Sequence, residues 1–309
     1  MNDIKELVIV SGKGGTGKTS LVAAMAGLAD NSVLADCDVD AADLHLVLEP
    51  TVRREEAFRS GHEAVIRGAD CIGCGACLAR CRFDAVERLP GDDGAHRFRI
   101  DPFACEGCGV CVRVCPVGAI VFPEKTCGTW FVSDTRFGPM VHARLGVAEE
   151  NSGRLVTLVR KQARDVAEAE GRERIVVDGS PGIGCPVIAS ITGASMVLVV
   201  TEPTRSGLHD LDRVLQLAVH FKIPAAVCVN KYDINPDMTE ALEAHCREAG
   251  VDVLGKVRYD RAVTESMVRK QTVVEFGADG IAEDIRSLWS AVRERLDAVE
   301  ARSSGTILG

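Results

Sequence analysis

Aromatic residues are scarce in this chain: they make up 4% of its 309 residues, with only two Trp and two Tyr. A core must therefore come from aliphatic side chains, and a hydrophobic content of 46% is ample for one large α/β domain or two smaller ones. Positive charge is also short. Thirty-six Lys and Arg against 45 Asp and Glu leave a net charge of −9, which argues against non-specific binding to nucleic acid or to an anionic membrane. No stretch approaches the ~20 apolar residues that a membrane helix needs. The first apolar run is short and a glycine-rich segment follows it at once, so no secretory leader is expected. Histidine offers no metal centre, because His62, His142, His209 and His220 have no ligand spacing with one another. Cysteine, by contrast, is plentiful, with thirteen residues. In a chain expected to be cytoplasmic these point to metal chemistry, not to disulfides.

The chain is organised around Ser11-Gly-Lys-Gly-Gly-Thr-Gly-Lys-Thr19, which fits G-x-x-x-x-G-K-[ST] from Gly12 to Thr19. The apolar run Leu7–Val10 precedes it and an Ala/Leu-rich helical pattern, Leu21 to Leu28, follows it. Strand, glycine loop and helix form the context that a phosphate-binding loop requires. Glycines let backbone N–H groups converge on phosphate oxygens, and the helix start adds unpaired donors. Gly12, Gly14, Gly15, Thr16, Gly17, Lys18, Thr19 and Ser20 are the expected nucleotide-binding residues. Lys18 should reach the outer phosphates, and the Thr19 hydroxyl should ligate Mg²⁺.

A second strand, Val33–Ala35, runs into Asp36-Cys37-Asp38-Val39-Asp40. The end of a parallel strand would deliver these acids beside the phosphate site. Arg174–Asp178 reads as a buried parallel strand closing on an acid, so Asp178 is expected in the Mg²⁺ shell. The Gly- and Pro-dense loop 179–186 after it could move with the γ-phosphate. Met196–Thr201, Ala225–Val229 and Val251–Leu254 read as further core strands, and Ser152–Ala169 and Ile281–Val299 as helices. Gly128–Leu145 reads as a hairpin or edge strands. Residues 49–60 carry no period. Asn230-Lys231-Tyr232-Asp233 resembles the N-K-x-D base-specificity motif of GTPases, which implies a base read by Asn230 and Lys231, and guanine recognition by Asp233 if the nucleotide were GTP.

Between these halves lies an internal repeat. Cys71-x2-Cys74-x2-Cys77-x3-Cys81 is followed by Cys105-x2-Cys108-x2-Cys111-x3-Cys115-Pro116, with turn residues Pro90–Gly94 between the copies. Two zinc sites could use the same eight thiols, although zinc ribbons usually pair two distant C-x2-C knuckles. Cys37, Cys127, Cys228 and Cys246 read as small apolar residues. Cys185, seven residues past Asp178, is less easily placed.

Three resemblances follow from these residues. Lys13-Gly-Gly-x-Gly-Lys-Thr19 resembles the deviant Walker A motif of the MinD/ParA/Mrp/nitrogenase-iron-protein ATPases (the SIMIBI class of P-loop NTPases), in which the early lysine crosses a nucleotide-sandwich dimer to the partner's phosphates. That resemblance implies ATP with Mg²⁺, Lys13 and Lys18 as charge-neutralising groups, Asp38 as the residue that orients the attacking water, and an Asn230 that reads the adenine edge. The doubled cysteine run resembles a two-cluster bacterial ferredoxin. In that pattern the fourth cysteine of each copy serves the other cluster, so Cys71, Cys74, Cys77 and Cys115 would hold one [4Fe–4S] cluster, and Cys105, Cys108, Cys111 and Cys81 the second. Arg82 stands where proline usually follows the fourth cysteine and could raise one cluster's potential. The nitrogenase iron protein has a cluster-ligating cysteine in a place comparable to Cys185, whereas the C-x-x-C pair of Mrp-type carriers is lacking there.

Taken whole, the chain resembles MinD-superfamily ATPases with an inserted ferredoxin. The fold implied is a doubly wound, mostly parallel α/β sheet carrying an α+β 2[4Fe–4S] insert, with 1–60 and 126–309 forming the ATPase domain and 61–125 the insert. The function implied is ATP hydrolysis in a homodimer, or in a heterodimer with a similar ATPase, coupled to electron transfer to a redox partner. The alternative is a carrier that delivers a metal–sulfur cofactor to a client. A positioning ATPase with structural clusters fits less well, since no nucleic-acid-binding or stable membrane-anchoring segment is expected. The MinD proteins end in a membrane-seeking helix, whereas Ile281–Val299 carries Asp and Glu and should pack on the core.

Overall fold

The computed structural model describes residues 4–90, 96–146 and 153–299. In chain order the elements are β1 (Lys5–Ser11), α1 (Lys18–Ala26), β2 (Ser32–Asp36), α2 (Leu44–Leu48), β3 (Thr51–His62), β4 (Val65–Ile66), α3 (Ala76–Arg80), β5 (Val86–Pro90), β6 (His96–Ile100), α4 (Val110–Val114), β7 (Ile120–Val121), β8 (Glu124–Thr135) and β9 (Gly138–Leu145). They continue with α5 (Gly153–Glu170), β10 (Arg174–Asp178), α6 (Cys185–Ile191), β11 (Met196–Thr201), α7 (Arg205–His220), β12 (Ala225–Asn230), α8 (Pro236–Glu248), β13 (Asp252–Val257), α9 (Ala262–Val268), α10 (Val273–Phe276) and α11 (Ile281–Asp297).

The described residues fall into two units: 4–56, 129–145 and 153–299 in the first, and 57–90, 96–128 and 146 in the second. The first holds a nine-stranded sheet in the order β13-β12-β11-β1-β10-β2-β9-β8-β3. From β13 through β9 every neighbouring pair runs parallel. The central strands are apolar throughout, as parallel strands covered on both faces must be. Leu7–Val10, Ile175–Val177 and Met196–Val200 are fully buried. Helices α1 and α11 pack their apolar residues on this sheet, so Leu21, Met25, Ile285, Leu288 and Val292 share one core with Leu7, Ile9, Leu198 and Val200. The aliphatic core expected from the composition is thus realised, and the carboxyl ends of β1, β2 and β10 deliver Ser11, Asp36 and Asp178 to one edge, the usual place for a site in an open α/β sheet.

Two elements differ from expectation. Residues 51–62, read as aperiodic, form the edge strand β3. Its residues 51–57 are exposed whichever face they point to, so no core imposes an alternation that a sequence could reveal. Charges at Arg53, Arg54, Glu55 and Glu56 mark it instead as a protected edge. The last core strand also runs further than 251–254, to Val257, because a register shift between Val227 and Cys228 re-aligns it against β12. The hairpin expected over 128–145 is β8 and β9, joined at Arg136-Phe137, while the turn at 91–94 and the polar tail after 300 lie outside the described residues.

The second unit is built twice over. Its two short helices, α3 and α4, each start on a left-handed glycine, Gly75 or Gly109, and each end on an extended cysteine, Cys81 or Cys115. Two-stranded antiparallel pairs, β4 with β7 and β5 with β6, flank them. Gly73 and Gly107 stand between the second cysteine and the first in each copy, at φ +71° and +60°. A Cβ there would lie 2.5 Å from the His96 carbonyl oxygen and 2.3 Å from that of His62, respectively. Alanine at either position must both strain the backbone and push a strand away. We expect Gly107→Ala to lower soluble yield at least several-fold, whereas Gly61→Ala, equally left-handed but facing open space, should act only through backbone strain. Equal losses in both variants would show that the close approach is unimportant.

Candidate functional site

The glycine loop leads from β1 into α1, as the motif requires. Lys18 is the first residue of α1 and is only 4% exposed. Its ammonium pairs with Asp178, and with Asp38 Oδ2 at 3.1 Å. Burial opposes its charge, but Asp178 first and Asp38 next outweigh burial and hold its pKa above the ordinary lysine value. Burial likewise pushes the Asp36 carboxyl well up, helped by repulsion from Asp178, and pushes Asp38 up against the pull of Lys18. Asp40 is exposed at the end of the same turn.

Among the described residues four buried polar side-chain atoms have no hydrogen-bond partner, and three of them are Thr16 Oγ1, Asp36 Oδ2 and Asp178 Oδ2. Orphaned buried acceptors are costly. Their gathering around this loop marks it as a place built to receive cations and donors that the chain itself does not provide.

The remaining predicted residues take defined places. Asn230 Nδ2 donates to the Thr16 carbonyl at 2.7 Å, and a Cβ on Gly17 would stand 2.4 Å from that nitrogen. Lys231 Nζ donates to the Gly15 carbonyl at 3.0 Å. Both residues therefore brace the loop from the end of β12. Thr19 is half-buried, whereas the Ser20 hydroxyl is turned to Met267 Sδ at 3.3 Å, on α9. Asp233 gives one carboxylate oxygen to the Tyr259 N–H at 2.7 Å, which occupies part of the group a guanine would need.

Lys13 folds back on its own chain, to Glu202 Oε1 at 2.6 Å and Ser206 Oγ at 2.9 Å. Glu202 also takes Lys231 at 3.3 Å. Against the effect of burial, Lys13 and then Lys231 hold the Glu202 carboxyl below its ordinary range. Sequence reasoning saw Glu202 only as part of a turn. The signal that would have found it is an acid directly after a core parallel strand, β11, beside a loop rich in lysine.

The Asp178 loop is tied down from behind. The Ser180 hydroxyl donates to the Cys37 carbonyl at 2.7 Å, and the Cys37 N–H to the Asp178 carbonyl at 2.8 Å. Cys37, Cys127, Cys228 and Cys246 are buried, as small apolar residues would be, while Cys185 is exposed at the start of α6.

In the second unit the eight repeat cysteines divide between two recesses. Cys71, Cys74, Cys77 and Cys115 line one, together with Ile66, Ile72, Phe98 and Ile120. Cys81, Cys105, Cys108 and Cys111 line the other, with Phe83, Ile100, Glu106 and Val110. The recesses hold about 320 and 360 Å³ of free space, open mouths included. Burial raises the thiol pKa of Cys77 and of Cys111, the third cysteine of each copy. Among the described residues no three His, Cys, Asp or Glu side chains converge closely enough to hold a single metal ion. Arg82 is exposed and does not line either recess.

Comparison with known proteins places the nucleotide site in context. Residues 7–273 match the family model described as the CobQ/CobB/MinD/ParA nucleotide binding domain. An uncharacterized protein, MJ0578 of Methanocaldococcus jannaschii, is 33% identical over 237 residues, covering 75% of this chain and 80% of that one. Among solved structures, the septum site-determining protein MinD of Pyrococcus horikoshii complexed with Mg-ADP shares 16% identity at a TM-score of 0.56, over 97% of this chain and 100% of that one. The MinC:MinD complex of Aquifex aeolicus gives 17% and 0.55 over 97% and 100%. At such identities these two show the shared fold. No helix among the described residues is long and apolar enough to cross a membrane.

Proposed function

Because the chain belongs to the CobQ/CobB/MinD/ParA nucleotide-binding family, we propose that it hydrolyses ATP between two subunits and couples the cycle to one-electron transfer through two [4Fe–4S] clusters in its second unit. The observation that carries the coupling is the partition of the eight thiols. Three cysteines of one copy meet the fourth cysteine of the other, in both recesses, and this cross-over is the rule of two-cluster ferredoxins.

The donor set suits that group. Four thiols spread around a volume, without any three gathered on a point, match a cluster whose irons are ligated one by one better than a tetrahedral zinc. The unit's own core also asks for a staple. Ala64, Cys77, Ala85, Val86, Phe98, Ile100 and Ile120 make up its buried cluster, too little apolar material to hold a domain of this size unaided. When bound, the clusters supply a one-electron relay, and the cysteines hold them in place.

At the other site the chain's own residues do most of the work. Backbone N–H groups of Gly12–Thr19 receive the phosphates of ATP. Mg²⁺ would be held by Thr19 and Asp178 and would neutralise phosphate charge. Lys18 exchanges Asp178 and Asp38 for phosphate oxygens, which frees Asp38 to orient water. Lys13 leaves Glu202 and Ser206 for the phosphates bound by the facing subunit, a role of the kind an arginine finger plays. ATP is favoured over GTP because Asp233 is committed to Tyr259.

The test is anaerobic purification with iron, sulfide and ATP turnover measured together. We expect about eight iron per chain, a [4Fe–4S] EPR signal on reduction, and an electron-transfer rate or cluster potential that differs between ATP and ADP. Colourless protein, or clusters indifferent to nucleotide, would refute the coupling. Iron passing to an apo-acceptor during turnover would instead favour the carrier reading.

A further inference from the structure

We infer that the two recesses are electrostatically unequal, and that Glu106 sets the Cys81/Cys105/Cys108/Cys111 site at the lower potential, so that electrons run from it to the Cys71/Cys74/Cys77/Cys115 site. The inference rests on the cluster reading above and adds a direction to it.

The internal repeat acts as its own control. Both copies have the same left-handed glycines, helices of the same length and extended terminal cysteines. Both walls are otherwise apolar. The residue between the first and second cysteines differs: Ile72 lines one recess, Glu106 the other. Reduction adds negative charge, and a carboxylate at the rim disfavours it. Within residues 70–84 and 104–118 five other charged positions differ: Asp70, Arg80, Arg82 and Asp84 stand where the second copy has Ala104, Val114, Pro116 and Gly118, and Arg113 stands where the first has Ala79. All five are exposed and none lines a recess, which leaves Glu106 as the charged side chain among the described lining residues.

A second observation acts in the same direction. The Ala119 N–H donates to Cys115 Sγ at 3.3 Å, in the recess shared with Cys71. A hydrogen bond to sulfur stabilises the more negative, reduced state and raises the potential. Ala85 is the repeat equivalent of Ala119, and among the described residues no N–H bond reaches Cys81 Sγ. The bond that favours reduction is therefore on one side and the acid that opposes it on the other. In the transfer itself, one electron leaves the reduced site at Cys105 and enters the oxidised site at Cys71. No proton moves and no other bond changes. A one-electron donor, dithionite in the experiment below, loads the first site.

The experiment is an EPR-monitored redox titration of the whole protein, purified anaerobically and reduced with dithionite. Two separate one-electron waves are expected. Glu106→Gln should raise the lower wave, shifting the partition of the electron roughly three- to tenfold (tenfold being 59 mV for a one-electron couple), and leave the upper wave in place. Ile72→Glu should lower the upper wave alone. Both positions are exposed, so neither change threatens the fold, and iron counts on each variant verify loading. Two sites of equal potential in the parent would overturn the inference, as would a Glu106→Gln variant that moves the upper wave or neither. A parent protein that binds no iron refutes the cluster reading itself and this inference with it. Eight irons with equal potentials refutes only the inference.

Discussion

Lys18→Gln is expected to lower ATP turnover about 10³-fold, the scale on which removing a single preorganised charge-stabilising group acts. The side chain is almost wholly buried among three acids, Asp36, Asp38 and Asp178. It is therefore already positioned to follow the phosphates as charge develops there. Glutamine keeps much of the length but none of the charge, so the carboxylates face one another and repel an incoming triphosphate. Because the change also leaves Asp178 without its counter-ion in the interior, it could act by unfolding. Thr19→Ala separates the two causes. Thr19 is half-buried and has no part in the Lys18 pairing, so its loss should leave the fold intact while weakening Mg²⁺-dependent turnover by at least tenfold. Circular dichroism and nucleotide binding on both variants complete the test. Turnover within a few-fold of the parent in well-folded Lys18→Gln would remove the loop from the chemistry.

The parts of this molecule that were legible in its sequence are those where one constraint dominates. The glycine loop, β1, β10 and β11 could be placed because burial on both faces leaves uninterrupted runs such as Leu7–Val10 and Met196–Val200. The eight thiols of the doubled cysteine run line two recesses, and their division between two clusters rests on the resemblance to a ferredoxin, not on spacing alone. What escaped was set by partners remote in the chain. β3 lacks an alternating pattern because its outer residues have water on every side. Glu202 is joined to Lys13 and Lys231 only once β11 and β12 lie side by side. Glu106 looked like any residue between two cysteines until the recess showed it opposite Ile72 in the repeat. The sequence reading singled out Arg82, which is exposed and lines neither recess.

Arg160→Met is expected to destabilise the first unit by about 3–5 kcal/mol, the usual result of stranding one member of a buried ion pair. For a unit of this size that lowers the melting temperature by on the order of 10 °C. Arg160, on α5, bonds Glu6 Oε1 through Nε at 2.7 Å, and Glu6 is 3% exposed on β1. Its Nη1 also donates to the carbonyls of Ala189 and Thr192, at 2.6 and 2.8 Å, at the end of α6. One guanidinium thus fixes the strand that leads into the phosphate loop and the helix that follows the Asp178 loop. Methionine fills the space, but it satisfies neither the carboxylate nor the two carbonyls, and Arg164, at 3.4 Å from Glu6 Oε2 and much more exposed, is a poor substitute. The sequence shows only an arginine on an amphipathic helix, so the pairing is invisible without the fold. Double substitution decides whether the charge or the helix anchor matters more. If the stranded carboxylate is the main cost, Glu6→Gln with Arg160→Met should recover most of the lost melting temperature. If the carbonyls of α6 are the main cost, the double variant melts as low as the single one, and hydrogen exchange should show the opening centred on α6 and the loop that carries Asp178.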